Sequence, residues 1–334
     1  MRRRRLAMAV ILTVLSGCDN VTWGGAEVHL QKPPADTASP SRASEATDTT
    51  GGRTPPPPPE GPVLLAGSLD GASATLSVVG SVRGDGLEAF TPQDTAQGGT
   101  EFLTEHHVGK GSRLVLFAEG VRVGHLTVAS TGVNRGYCVA RPTVTGVVEM
   151  VPAAVGATRF LALPDSAARG RPYGQYQALR DHYEERVASL NLASAAIPQV
   201  GAAWPPSLLD ARADIQVFQL PRPDGLTVAA TFLYHDQLTT ARPGPKAYAL
   251  FVMGSQRPEA YVADFVWYRS ADAEGKGAPR YFGHLDLNGD GQEEVLLDVL
   301  GSGTRWFAVL GRRNGNWVRT FQDPCGDSGA TTGG

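Results

Sequence analysis

Residues 281–300 read YFGHLDLNGDGQEEVLLDVL, and what flanks the central nine decides the fold. Asp286, Asn288, Asp290 and Glu294 place side-chain oxygens at positions 1, 3, 5 and 9 of that run. Gly291 holds position 6, where a cation-binding loop must turn sharply, and Gln292 holds position 7, where a backbone carbonyl can coordinate. Hard oxygen donors at this spacing suit calcium. A helix-flanked calcium loop needs a bidentate Glu at position 12, but that position is Leu297, and the flanks YFGHL and VLLDVL alternate or run apolar as strands do. The stretch reads as strand, loop, strand, and an Asx-rich hairpin that turns without metal is the competing reading of the same residues.

The same rhythm extends in both directions. Asp70-Gly71, Asp85-Gly86, Asp224-Gly225 and Asn314-Gly315 mark tight turns, because these residue types tolerate the positive φ of two-residue hairpins. Strands are expected over 74–82, 113–118, 121–129, 143–151 and 159–163, then over 215–220, 226–234, 247–253, 261–268, 281–285, 293–300, 305–310 and 316–321. One amphipathic helix is expected near 174–190, where Tyr176, Leu179, Tyr183, Val187 and Leu190 recur at three- and four-residue steps. The fold class is mainly β: antiparallel sheets or a sandwich with that single helix. A strand-helix alternation is absent from the sequence, as is a glycine-rich turn between strand and helix, which argues against a nucleotide-binding core.

The N-terminus has a different character. MRRRRLAMAVILTVLSGC joins a basic start, an apolar run too short to span a bilayer of about 30 Å, and a small-residue cleavage context. It reads as a signal peptide over 1–18. The ending Leu-Ser-Gly-Cys resembles the lipobox of bacterial lipoproteins, which implies a lipid anchor on Cys18; Asp19 resembles an inner-membrane retention signal whose rules differ between bacteria. Residues 19–62, rich in Pro, Ser and Thr, form an expected disordered spacer with a short polyproline rod at 55–59. An N-terminal β module over 63–165, a helix-plus-β domain over 166–326 and a disordered tail over 327–334 complete the expected organisation.

Three cysteines are present, and with Cys18 lipidated the pair Cys138 and Cys325 remains. In an oxidising envelope they are expected to form a disulfide, the alternative being two buried thiols. Closing a loop of roughly 190 residues is worth about 4–5 kcal/mol on the chain-entropy model. A formal charge of −3, with 30 Lys and Arg against 33 Asp and Glu and no basic block after residue 5, argues against nucleic acid as a partner.

The loop at 286–294 also resembles the strand-loop-strand calcium loop of FG-GAP and VCBS-type repeats, over about 20 residues from Phe282-Gly283 through Gly301. The resemblance implies Asp286, Asn288, Asp290 and Glu294 as side-chain ligands of calcium, Gln292 as a carbonyl ligand, and Glu293 facing the other side of its strand. Those families repeat the loop once per blade, whereas this chain has one copy, so a propeller is not implied.

The remaining motifs are weaker. Cys325-Gly326-Asp327-Ser328-Gly329 resembles the nucleophile motif of chymotrypsin-like proteases, but it stands on a glycine-rich terminus where no base can be held beside Ser328. His106-His107 has no neighbouring ligand at zinc spacing, and Arg83-Gly84-Asp85 is explained by its turn. Tyr234-His235-Asp236 offers a His-Asp pair without a nucleophile nearby in sequence. Trp204, Trp267, Trp306 and Trp317, with Tyr268 and Phe307, are either core or a sugar-stacking face. The function these readings point to is a lipid-anchored cell-envelope module, extracytoplasmic and non-catalytic, that meets an envelope protein or a glycan. An extracytoplasmic hydrolase with a site assembled from distant residues is the alternative.

Overall fold

A computed structural model describes residues 61–84, 86–89, 100–168, 171, 174–221 and 223–326, all within one unit spanning residues 55–334. Cys18 and the signal peptide, nearly all of the spacer, Asp85, and the tail with Asp327 and Ser328 lie outside the described residues.

The chain is β-rich and antiparallel. The first seven strands are β1 (Val63–Asp70), β2 (Ser73–Arg83), β3 (Gly86–Ala89), β4 (Arg113–Ala118), β5 (Val121–Asn134), β6 (Arg141–Met150) and β7 (Arg159–Pro164). They hydrogen-bond in the order β1-β7-β4-β5-β6-β2-β3, and β1 also pairs with β2, so six of them close into a barrel with β3 as an extension on β2. Closure removes the free edges that an open sheet would leave. At the crossing of β1 and β2 the backbones come close: a Cβ at Gly67 would lie 2.0 Å from the Thr75 carbonyl oxygen, so only glycine fits there.

Eight further strands form two four-stranded sheets. β8 (Arg212–Gln219), β9 (Leu226–Tyr234), β10 (Tyr248–Gln256) and β11 (Tyr261–Ser270) make one, ordered β11-β10-β9-β8. β12 (Ala278–Leu285), β13 (Glu294–Leu300), β14 (Arg305–Arg313) and β15 (Asn316–Gln322) make the other, in sequence order.

Period-two alternation sorts side chains into stacked cores. In β1, β4 and β7, Leu65, Leu116 and Ala162 point into the barrel, while Leu64, Phe117 and Leu161 point out onto Leu296, Phe307 and Val309 of the last sheet. That sheet turns its opposite face, with Val295, Leu297, Val299 and Trp306, onto Phe218, Phe251 and Trp267 of the β8–β11 sheet. The β8–β11 sheet in turn buries Val228, Phe232, Leu250 and Val252 beneath a helix. Runs such as VLLA and LVLF are continuously apolar because both of their faces are covered.

The long helix, α1, spans Tyr183–Val200, not 174–190. Residues 174–182 are irregular, and the start is fixed by a reciprocal cap in which the His182 backbone N–H donates to Glu185 Oε2 at 2.9 Å. Its buried stripe is Glu185, Ala188, Ser189, Leu192, Ala193, Ala196 and Ile197; of the expected stripe, Leu179 and Leu190 pack at the margin of this core while Tyr183 is exposed. Small alanines let α1 sit close on the sheet, and Tyr261 Oη reaches Glu185 at 3.2 Å.

A seam joins the barrel to the last sheet. Cys138 and Cys325 form a disulfide with Cα atoms 6.4 Å apart. Beside it, wholly buried Arg141 donates to the Val78 and Val79 carbonyls at 2.7 and 2.8 Å, pairs with Asp323, and lies between the rings of Tyr137 and Phe307. Asp323 in turn accepts from the Phe307 backbone N–H at 2.8 Å.

Candidate functional site

The loop 286–294 joins β12 to β13, and the pairing Leu285↔Glu294 closes its base. Both flanks are strands, as the apolar patterning required. Leu287 is buried with Leu285, Leu296 and Phe307, which pins the start of the loop, while Gly289 and Gly291 take φ of 83° and 85° to turn it.

Its oxygens are directed inward onto loop backbone. Asp286 accepts from the N–H groups of Gly289 (2.6 Å) and Gly291 (3.0 Å), Asn288 Oδ1 from Asp290 (2.9 Å), and Asp290 Oδ1 from Gln292 (2.7 Å). Glu294 Oε2 accepts from the Leu287 N–H at 2.9 Å. These bonds preorganise an oxygen-lined turn. Among the described residues no three His, Cys, Asp or Glu side chains stand together closely enough to share a metal ion.

Negative charge accumulates here. Burial, with Asp290 and Asp286 adding repulsion, pushes the Glu294 carboxyl up to about 7 against the Leu287 N–H. Arg171 donates to the Leu287 carbonyl at 2.7 Å; burial lowers its pKa, although Asp286 and Glu294 favour its charge.

Glu293 faces away from the loop, as expected. Its Oε2 stands 3.3 Å from Nε2 of buried His284, whose Nδ1 lies 2.6 Å from Tyr281 Oη and 4.0 Å from Glu119 Oε2. Burial raises Glu119 and Glu293 to about 7 and lowers His284 to about 3, so the imidazole is neutral. Glu119 belongs to Glu119-Gly120, the two-residue hairpin of β4 and β5, with φ of 49° and 70°. Both residues have positive φ, where Asn or Asp before Gly is the usual choice and Glu is not. The sequence reading passed over Glu119, Arg159 and His284; a glutamate in that turn position was the only local signal.

The other motifs resolve into structure. His106 is buried and bonds Ser81 Oγ (3.2 Å) and the Phe102 carbonyl (2.9 Å). His235 and Asp236 diverge: His235 Nδ1 contacts the Pro245 carbonyl, whereas Asp236 pairs with buried Lys276 at 2.6 Å. Trp267, Trp306, Trp317 and Phe307 are core, leaving Trp204 as the exposed tryptophan of the described residues. A sugar-stacking face built from that set does not form. No helix among the described residues is long and apolar enough to cross a membrane.

No protein-family model, no curated protein and no solved structure matches this chain.

Proposed function

We propose that this protein is a lipid-anchored, extracytoplasmic binding or scaffolding module of a bacterial cell envelope, held to its membrane through Cys18 and braced by one calcium ion in the loop 286–294. The membrane is its partner through the anchor; an envelope protein or a glycan is the partner of the folded part. The lipobox-like ending at Cys18 supports the anchor.

The observation that carries the calcium reading is the donor set. Asp286, Asn288, Asp290 and Glu294, with the Gln292 carbonyl, are all hard oxygens on one turn, and three of them are carboxylates that repel one another. A divalent cation would remove that repulsion and tie β12 to β13.

Calorimetric titration of the full chain with calcium chloride tests this: one ion per chain is expected, lost in Asp290→Ala. Absence of binding heat in the wild type would remove calcium from the account. For the anchor, metabolic labelling with a radioactive fatty acid should mark the wild type and not Cys18→Ser; equal labelling of both would refute it.

A further inference from the structure

The β4–β5 hairpin, the segment 156–158 with the start of β7, β12, the middle of β8 and the segment 176–179 line a cavity of about 160 Å³. At about 30 Å³ per water in the liquid, it holds about five waters or one organic molecule of similar size. Its wall carries Glu119, Arg159, Gln216, Tyr176 and His284 among apolar neighbours. Glu119 Oε2 is buried with no hydrogen bond, its nearest ionisable neighbour being His284 Nδ1 at 4.0 Å, whereas His284 Nε2 faces Glu293 Oε2 at 3.3 Å. His284 is 1% exposed.

Glu119 and Arg159 line this one small space yet do not form an ion pair within 4.0 Å of each other among the described residues. Arg159 lines the cavity while its Nη1 donates to the Tyr281 carbonyl at 3.0 Å and its guanidinium lies 5.9 Å from the Phe282 ring. Opposite charges sharing a small low-dielectric space ordinarily collapse onto each other, because a buried charge without a partner is costly. A carboxylate and a guanidinium that line one pocket without a direct ion pair match a guest bearing the complementary charges, and the Arg159 charge already favours the Glu119 carboxylate. The hairpin adds to this: it keeps a glutamate in a left-handed conformation that Asn, Asp or Gly adopts more readily, and so points a longer carboxylate at the space.

We propose that this cavity binds a small zwitterion of the α-amino acid class, with its ammonium on Glu119 and its carboxylate on the Arg159 fork. A bidentate guanidinium–carboxylate contact fixes one end and gives orientation. A space of about 160 Å³ suits the smallest members of the class, glycine and alanine. His284 and Gln216 also line the cavity and offer polar contacts. This goes beyond the calcium reading and does not rest on it, since neither Glu119 nor Arg159 belongs to the loop.

The test uses the full chain in two buffers, one with calcium and one with chelator, and measures calorimetric binding and melting midpoint with glycine, L-alanine, ethylamine and propionate. Glycine or alanine should bind and raise the midpoint, with ethylamine and propionate at least tenfold weaker because each meets only one of the two charges. Glu119→Gln should weaken the amino acid at least tenfold. The proposal is overturned if neither amino acid binds, if the one-ended molecules bind as well as the zwitterion, or if Glu119→Gln binds unchanged. Comparing ligands on the wild type keeps the result readable even if a variant folds poorly, and binding in chelator separates this cavity from the calcium loop.

Discussion

Arg141 with Asp323, and Glu119 with His284 and Glu293, are two buried polar groups in the same contact between barrel and last sheet, and they are built on opposite plans. At the seam every charge has an opposite charge. Burial pushes Asp323 up, but Arg141 and the Phe307 N–H pull it back, and a disulfide closes the same corner. At the loop end carboxylates gather near a neutral imidazole, and burial leaves Glu119, Glu293 and Glu294 each near 7. The contrast separates buried charge that the fold compensates internally from buried carboxylates that burial drives toward their protonated form.

If the seam is the compensated part, breaking it costs most. Arg141→Met leaves Asp323 buried without a counter-charge and two carbonyls without a donor, and should lower unfolding free energy by about 3–5 kcal/mol in urea denaturation. A loss under 1 kcal/mol would mean the pair is incidental. Removing the disulfide with Cys138→Ser and Cys325→Ser should cost somewhat less, about 2–5 kcal/mol. Denaturation of the double variant with and without reductant checks this, since reductant should affect only the wild type.

The loop end should respond in the opposite sense, by gaining stability when it is answered. Calcium at a hundred times its dissociation constant should add about 2.7 kcal/mol. A smaller and subtler effect belongs to Glu119. An acid whose pKa is raised on folding holds its proton more tightly in the native state, so stability falls as pH climbs from about 4.5 to about 7. Glu119→Gln removes that titration: it should match the wild type near pH 4 and exceed it by about 1–2 kcal/mol at pH 8, a discounted value because the side chain is partly exposed. A gap that shrinks with rising pH would contradict the burial of an uncompensated carboxylate.

Much of this architecture was legible because local and tertiary signals agree. LTVAATFLY over 226–234 is bounded by turn residues, and its strand limits came out as read. Barrel closure was not legible: β1 pairs with β7, nearly a hundred residues away, and Leu65↔Ala162 is a register that only tertiary packing sets. The helix misled because Tyr176 and Leu179 continue its apolar spacing upstream, whereas the cap at His182 and Glu185 and the alanine stripe decide where it sits. Site legibility divides the same way. Nine consecutive residues spelled the loop, while Glu119 and His284 are far apart in sequence and meet only after folding.

The most direct test of the account is the melting midpoint of the full chain at pH 7.5, with calcium against chelator, for wild type and Asp290→Ala. The account predicts a midpoint that climbs with the logarithm of calcium concentration in the wild type and stays level in Asp290→Ala. Coincident curves for the wild type would show that DLNGDGQEE turns the chain without an ion and that the carboxylates at this end are accommodated by the protein alone.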